Sequence, residues 1–315
     1  MATTPGRLTK GATGAARDAT ALRLGAAPGT IEGMTTPMIA FGAAWSAALR
    51  RVPEDDLATW LSLAIEMCDE ADRLSMRWYR REVPTSRKPD RTFVTEADQA
   101  IERLIRERIR AVHPSHGLVG EEYGDEDGSA AVRWYIDPID GTHNFIRGVP
   151  LFATLLAVEV EGEMQLGVMS APAMGERWYA ARGHGAWAVA RDGLRRRLRV
   201  SGVATLGDAQ LVYGSRREDV ASGLMPGFDA VLDACWRERG FGDFWGYALV
   251  GEGAAEAMFE TGMHSWDIAA PMVIVEEAGG RVSDVAGARD VRAASFVASN
   301  GQVHEELLRG LAGRS

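Results

Sequence analysis

Hydrophobic residues at helical spacing mark the chain after residue 53. From Glu54 to Arg81 the apolar positions recur at intervals of three and four, which predicts one amphipathic helix. The same spacing predicts a second helix that begins at Thr95 and carries its apolar face from Ile101 to Val112. The segment between them, residues 83–93, is polar and contains two prolines, so we interpret it as a loop.

Strand patterns dominate the next part of the chain. Leu118 and Val119 end a short predicted strand, and a second strand leads from Val132 into Asp137. Further strands are predicted at Leu151–Glu161, Met164–Ser170, Arg177–Ala181 and Ala186–Val189. Several of them are joined by tight turns that contain glycine, so we expect antiparallel hairpins.

The last third of the chain alternates strands with helices. The predicted strands are Gln210–Gly214, Ala255–Glu260, Arg281–Ser283 and Ser295–Ala298. The predicted helices are Gly227–Arg239, Phe244–Gly251, Trp266–Ala278 and Val303–Leu311. Hairpins followed by this βαβ-like portion predict an α+β protein in which helices and sheets are layered as a sandwich.

Composition and charge exclude several functional classes. With 315 residues, 46% of them apolar, the chain can form one large domain or two intimate ones. A net charge of −9 argues against nucleic acid or an anionic membrane as the main partner. The basic run Arg191–Arg199 is interpreted as a solvated strand edge. Cys68 and Cys235 lie far apart, which favours a reduced, cytoplasmic setting without a disulfide framework.

Residues 1–48 differ from the rest, being rich in Ala, Gly and Thr with little periodicity. We predict a disordered tail there, followed by a single domain over residues 49–315. Because no run of about 18 apolar residues occurs, no membrane span is expected. Secretion and an organelle transit peptide remain the alternatives. Met38–Leu49 is apolar enough for a signal peptide, but Arg50 and Arg51 follow it instead of preceding it.

The segment of residues 134–150, WYIDPIDGTHNFIRGVP, carries the strongest chemical signal. A proline turn separates Asp137 from Asp140, and the two carboxylates are hard oxygen ligands for a divalent cation. Gly141 and Thr142 follow at once and can present free backbone N–H groups to an anion, as a tight turn or a helix start. This combination points to metal-assisted phosphoryl transfer to water.

Three further clusters carry carboxylates, at Gly120–Glu122, Val94–Asp98 and Ser265–Asp267. Each has a structural explanation: a solvated loop charge, a capping box and an acidic residue at a helix N-terminus. If they converge, each contact between two carboxylates near 4 Å costs about 4 kcal/mol at an effective dielectric constant of about 20. Bound Mg²⁺ would turn that repulsion into coordination.

The motifs GEE, DPIDGTHNF and WDIAAPMVIVEEAGG, in that order and spacing, resemble the inositol monophosphatase family from about Asp55 to Leu311. The resemblance implies an αβαβα sandwich, usually a homodimer, that uses two to three Mg²⁺ ions. Such enzymes hydrolyse a small phosphate monoester without a covalent intermediate. Residues 49–200 would form the metal- and phosphate-binding half, and residues 201–315 would supply Asp267 and the leaving-group pocket.

The resemblance also assigns roles to individual residues. The implied metal ligands are Glu121, Asp137, the carbonyl of Ile139, Asp140 and Asp267, with Asp137 bridging two ions and Glu121 also serving a third, weaker site. The implied catalytic residues are Asp98 and Thr142, which share the nucleophilic water, together with Glu121. The implied phosphate contacts are Asp140 and the backbone N–H groups of Gly141 and Thr142.

The leaving-group side departs from the inositol-specific pattern. Where those members have a G-S-A-A-like segment, this chain has Gly242-Asp243-Phe244-Trp245, which is similar to the histidinol-phosphate phosphatase branch. A carboxylate beside aromatic rings suits a cationic, partly planar group, so we expect Asp243, Glu260 and His264 to bind it.

Several alternatives stay open at this point. The substrate could be inositol 1-phosphate or another polyol phosphate, and the chain could be an inactive regulatory member of the family. Asp243 could instead be a helix N-cap, and His264 a loop histidine with a satisfied ring.

Overall fold

Two amphipathic helices form one outer layer of the fold. The computed structural model describes residues 56–88 and 92–314, so the tail predicted at residues 1–48 lies outside the described residues. Helices α1 (Asp56–Trp78) and α2 (Glu96–Val112) pack against each other and on strands of a large sheet. On the apolar face of α2, Ile101, Ile105 and Ile109 are fully buried, as their spacing predicted, whereas Val112 at the C-terminal end is exposed.

The segment between these helices corrects the loop prediction. Strands β1 (Thr85–Arg87) and β2 (Phe93–Thr95) pair antiparallel and form a small two-stranded sheet. The three residues of β1 are exposed, so no hydrophobic alternation marked the strand in the sequence. Backbone pairing alone defines it.

An eight-stranded sheet forms the second layer. Its strands are β3 (Gly117–Gly120), β4 (Gly124–Glu126), β5 (Val132–Asp140), β6 (Ala153–Val160), β7 (Glu163–Ala171), β8 (Glu176–Ala181), β9 (Gly185–Ala190) and β10 (Arg195–Arg197). The strand order is β10-β9-β8-β7-β6-β5-β3-β4, and all neighbours are antiparallel except β3 and β5. The predicted hairpins are confirmed. The basic run supplies β10 at the sheet edge, where the Arg195 guanidinium lies 3.7 Å from the Trp187 ring centroid.

A buried ionic cluster ties this sheet to α1. Arg177 on β8 is 1% exposed and contacts Asp69 at 3.0 Å and Asp72 at 2.8 Å. Ser170 on β7 donates to the same Asp72 carboxylate. Burial raises the pKa of Asp72 to about 6 even though Arg177 and Ser170 lower it. Because removal of Arg177 would leave two buried carboxylates without their cation, it should cost about 3–5 kcal/mol of stability.

A five-stranded sheet forms the fourth layer. Its strands are β11 (Gln210–Tyr213), β12 (Arg237–Arg239), β13 (Ala257–Thr261), β14 (Arg281–Ser283) and β15 (Ser295–Ser299), in the order β12-β11-β13-β15-β14. The first three in that order run parallel to one another, and β15 is antiparallel to both of its neighbours.

The prediction of one helix over Gly227–Arg239 was wrong at its C-terminal end. Helix α5 covers Phe228–Ala234, and Arg237–Arg239 form the edge strand β12. These strand residues are polar and largely exposed, so only their pairing with β11 distinguishes them from a helix end. The short helix α4 (Arg216–Ser222) was not predicted.

Helices fill the middle layer and cover the second sheet. Between the sheets lie α6 (Asp243–Gly251) and α7 (Ser265–Glu277), and α8 (His304–Leu311) packs with α5 on the far face of the second sheet. Every residue of α7 from Ile268 to Val275 is buried, as expected for a helix that is apolar on all sides. The layers are therefore α, β, α, β and α.

Within the described residues, no helix combines the length and apolar character that a membrane crossing requires.

Candidate active site

A bulge in β5 brings two aspartates to the same side of the strand. Side chains three residues apart on a regular strand point to opposite faces, but the register of β5 against β6 shifts between Asp137 and Asp140. Pro138 lies in this irregular stretch, where a missing N–H costs no ladder bond, and its carbonyl accepts a hydrogen bond from Thr154 at 2.8 Å. Proline and bulge together turn both carboxylates toward the site.

The chain then turns at a glycine that no other residue could replace without strain. Gly141 has φ of +79°, and a Cβ there would lie 2.8 Å from the carbonyl oxygen of Leu151. Thr142 begins the short helix α3 (Thr142–Ile146) directly after it. Helix starts leave their first backbone N–H groups without intrahelical partners, which is the property predicted for phosphate binding.

Three aspartates from two layers converge. Carboxylate oxygens of Asp137, Asp140 and Asp267 all lie within 4.8 Å of one another. Burial, with the neighbouring carboxylates, raises the pKa of Asp137 and of Asp140 well above the ordinary range. Asp137 is 1% exposed, and no group in the described part of the chain donates a hydrogen bond to its Oδ1. A buried, unpartnered carboxylate oxygen among like charges fits a divalent cation with hard oxygen ligands.

Glu121 stands beside this cluster and is held by a lysine. It follows β3, and its Oε1 accepts a hydrogen bond from Lys88 Nζ at 2.7 Å. The same ammonium lies 2.8 Å from Glu122. Burial alone would lower the pKa of Lys88, but the two glutamates outweigh it and raise that pKa. Glu121 is therefore a paired charge at the site and not a solvated loop charge.

The two carboxylate oxygens of Asp98 have different partners, one at the start of α2 and one in the site. Thr95 N–H donates to its Oδ2 at 2.8 Å, which completes the predicted capping box of α2. Its Oδ1 lies 3.4 Å from Thr142 Oγ1, which is also 3.0 Å from the carbonyl oxygen of Ile139. Burial raises the pKa of Asp98 to about 6. Asp98 can thus complete the capping box and at the same time contact Thr142, its predicted catalytic partner.

Asp243 is the first residue of α6, and Gly242 occupies the N-cap position. The alternative interpretation of Asp243 as a helix N-cap is therefore wrong, and Asp140 instead accepts the Phe244 N–H at 2.6 Å. Asn144 donates to Asp243 Oδ2 at 3.1 Å. Burial raises the pKa of Asp243 to about 6. Its φ of +51° is unusual outside glycine and shows that the surrounding structure fixes this carboxylate.

Glu260 and His264 complete the predicted leaving-group side. Glu260 is buried and accepts a hydrogen bond from Tyr247 Oη at 2.7 Å, and burial beside Asp243 raises its pKa well above the ordinary range. His264 precedes α7, and its ring stacks on Trp266 with centroids 4.8 Å apart. Its Nδ1 lies 3.6 Å from Asp267 Oδ2.

Most of these groups line one cleft of about 360 Å³. Every predicted site residue lines it except Asp98, which reaches it through Thr142. Sequence reasoning missed Lys88, Asn144 and Glu218. Lys88 could have been noticed as one of two lysines in an arginine-rich chain, and Asn144 as part of the motif DPIDGTHNF. The only sequence signal at Glu218 is the pattern Ser-x-x-Glu, which indicates a helix start and not a binding site.

Comparison with known proteins agrees with this geometry. A model of the inositol monophosphatase family matches residues 56–314. A histidinol-phosphatase of Mycobacterium tuberculosis is 41% identical over 252 residues, covering 80% of this chain and 97% of the relative. One of Streptomyces coelicolor is 42% identical over 253 residues, covering 79% and 95%. An inositol-1-monophosphatase of Mesorhizobium japonicum is 36% identical over 226 residues, covering 70% and 82%.

A solved structure supports the same assignment. The extragenic suppressor protein suhB from Bartonella henselae superposes with a TM-score of 0.73 at 28% identity, covering 80% of this chain and 98% of that one. The family match spans nearly all the described residues, and the five layers are those that the resemblance implied. This chain belongs to the inositol monophosphatase family.

Proposed function

We propose that the chain is a Mg²⁺-dependent phosphomonoesterase that hydrolyses L-histidinol phosphate to L-histidinol and phosphate. The observation that carries the proposal is the fixed carboxylate of Asp243 beside the glycine turn. A Cβ on Gly141 would lie 3.3 Å from Asp243 Oδ2, so a cationic leaving group there would be bound next to the phosphate. The 41% and 42% identical relatives named histidinol-phosphatase support the same substrate.

In this proposal Glu121, Asp137, Asp140, Asp267 and the carbonyl of Ile139 hold two to three Mg²⁺ ions. Bound Mg²⁺ supplies positive charge to the phosphate oxygens and lowers the pKa of water. The unpartnered Oδ1 of Asp137 and the raised pKa of its carboxyl group support this donor set, because a cation would replace protons there.

The remaining steps belong to the chain itself. Thr142 Oγ1 orients the attacking water, and Asp98 Oδ1 accepts the proton that Thr142 passes on. The raised pKa of Asp98, about 6, leaves this carboxyl group mostly ionised at neutral pH and close enough to that pH to accept a proton. The N–H groups of Gly141 and Thr142 donate to the phosphate, as expected at a helix start.

Inositol 1-phosphate is the second candidate substrate. The inositol-1-monophosphatase relative favours it, at lower identity and coverage than the histidinol-phosphatases. An inactive regulatory member would be expected to have lost metal ligands, whereas all the implied ligands are present in the sequence. Assembly as a homodimer and a cytoplasmic location remain predictions from the sequence.

The test is phosphate release with Mg²⁺ from L-histidinol phosphate and inositol 1-phosphate side by side, compared as kcat/KM. We expect at least about a hundredfold preference for L-histidinol phosphate, equivalent to about 2.7 kcal/mol of transition-state discrimination. Chelation of the metal should abolish both activities. The reverse preference would overturn the substrate assignment and leave the phosphatase chemistry intact.

A further inference from the structure

The leaving-group end of the cleft is built where three parallel strands end. Strands β12, β11 and β13 are parallel neighbours, so their carboxyl ends meet at one edge, the usual ligand-binding edge of such sheets. Glu218 follows β11 on α4, Asp243 follows β12, and Glu260 lies near the end of β13. All three carboxylates line the cleft. Glu218 is the one that sequence reasoning did not assign.

Glu218 is placed to complete a capping box at the start of α4, but its side chain does not do so. Ser215 caps α4 and its Oγ accepts from the Glu218 N–H at 3.4 Å, which is half of a capping box. In the other half, the glutamate would accept from the Ser215 N–H. Asp98 and Asp267 both make that bond at their own helices, at 2.8 and 2.7 Å. In the described residues no group donates to the Glu218 carboxylate, which lies exposed at the rim of the cleft instead.

The buried wall beside Glu218 also has an unpartnered oxygen. Glu260 is 8% exposed, and its Oε1 accepts from Tyr247. Its Oε2 lies so close to Gly214 that a Cβ on that glycine would overlap it, and no donor from the described chain reaches this oxygen. A carboxylate oxygen that lines the cleft without a donor from the described chain is available to a donor from a ligand.

The cleft offers these carboxylates no cation of its own. Among the described residues that line it, Lys88 is the single lysine or arginine, and its ammonium is bound by Glu121 and Glu122. Burial raises the pKa of Asp243 and of Glu260, and neighbouring carboxylates raise both further: Asp267 and Glu218 act on Asp243, and Asp243 acts on Glu260. A basic leaving group would neutralise this repulsion, and a neutral polyol would not.

We propose that Glu218 binds the imidazole of the leaving alcohol, while Asp243 binds its ammonium group. This assignment rests on the proposed function. Asp243 is held by Asn144 next to the glycine turn, close to the ester, and L-histidinol phosphate carries its ammonium group on the carbon adjacent to the ester carbon. The imidazole lies farther from the phosphate, toward the rim where Glu218 stands. Glu218 is therefore a specificity-determining residue.

The test compares two substrates that differ only in the imidazole, L-histidinol phosphate and L-alaninol phosphate, with glycerol phosphate as a neutral reference. In Glu218→Gln the ratio of kcat/KM for L-histidinol phosphate over L-alaninol phosphate should fall about tenfold, chiefly through KM. Hydrolysis of glycerol phosphate should stay within about twofold. Asp243→Asn should lower both amino-alcohol phosphates together and leave their ratio unchanged.

Glu305→Gln serves as the matched control, because Glu305 is an exposed glutamate in the first turn of α8 and does not line the cleft. Its ratio should equal that of the unmodified chain. An unchanged ratio in Glu218→Gln, or no preference between the two substrates in the unmodified chain, overturns the role of Glu218. Hydrolysis of glycerol phosphate without hydrolysis of either amino-alcohol phosphate would instead contradict the proposed function.

Discussion

At the scale of single residues, Asp137 is the carboxylate whose surroundings most demand a cation. It is buried, its Oδ1 has no donor within the described residues, and Glu121, Asp140 and Asp267 all raise its pKa further. A side chain in this position destabilises the folded chain unless a ligand or a proton compensates its charge. As a proposed metal ligand, Asp137 would therefore contribute to binding at the expense of stability.

Asp137→Asn keeps the size of the side chain and removes its charge. We expect the loss of activity to exceed about a hundredfold, because this residue is the proposed bridge between two ions. The metal-free variant should unfold at the same temperature as the unmodified chain or a higher one, and the increase in Tm on adding Mg²⁺ should largely disappear. Near-normal turnover would remove the bridging assignment.

Asp243→Ser tests substrate selection at a second residue. The change replaces a fixed carboxylate by the small hydroxyl that inositol-specific members have nearby. We expect kcat/KM for L-histidinol phosphate to fall about 10- to 100-fold, the usual cost of losing a hydrogen bond to a charged group. The value for inositol 1-phosphate should change much less. Equal losses for both substrates would contradict the specificity argument.

At the scale of elements, helix N-termini and the site use the same carboxylates. Asp98 accepts from the N-cap residue of α2, Asp140 accepts from the first turn of α6, and Asp267 accepts from the residue before α7. Each carboxylate is thus held by backbone N–H groups and by the favourable end of a helix dipole. For Asp98 and Asp267 the structural role therefore does not exclude the proposed functional one, because one carboxylate can make both sets of contacts.

Helix α8 provides a test of pH-dependent stability away from the site. His304 is fully buried, with Ser283 Oγ 2.9 Å from Nε2 and Ser299 Oγ 2.8 Å from Nδ1. Burial lowers the pKa of His304 from 6.5 to about 4, so the unfolded chain binds a proton between these values and the folded chain does not. Stability should therefore be independent of this residue well above pH 6.5 and fall by about 2 kcal/mol by about pH 5.

The measurement is urea unfolding of the unmodified chain and of His304→Gln at about pH 7 and about pH 5, on either side of the ordinary histidine pKa. Carboxylates elsewhere also change stability over this range, so the readout is the difference between the two proteins. The unmodified chain should lose more unfolding free energy on acidification than the variant. The same loss in both would show that His304 is protonated in the folded state.

At the scale of the whole molecule, the site exists because two sheets are stacked around α6 and α7. The eight-stranded sheet delivers Glu121, Asp137 and Asp140, while the middle helices and the second sheet deliver Asp267, Asp243 and Glu260. The proposed site needs carboxylates from both groups. Changes that loosen the layers should therefore affect metal binding and substrate selection together.

Removal of Met1–Ala48 tests whether this assembly is sufficient. Every residue that lines the cleft lies between Lys88 and Asp267, and the family match begins at residue 56. We expect kcat/KM to remain within about twofold and the oligomeric state to be unchanged, as measured by kinetics and light scattering. An inactive truncated chain would show that the tail completes the site or the dimer.

The sequence by itself determined the chemistry and most of the elements. The aspartates, the glycine turn and the Thr95 capping box are local motifs, while α2 shows helical periodicity and β6 is a nearly continuous apolar run. These features need only neighbouring residues to be visible. For that reason the order of residues along the chain was enough to predict the metal-ligand candidates, the layered fold and the family.

The tertiary structure decided what depends on distant partners. Strands β1 and β12 are short, polar and exposed, so only their pairing reveals them, and the helix predicted for Gly227–Arg239 was too long for this reason. Asn144 meets Asp243 across 99 residues, and Asp140 meets Phe244 across 104. Lys88 pairs with Glu121, and Glu218 stands at the rim of the cleft. Periodicity records whether one element is buried, whereas these contacts depend on how separate elements stack.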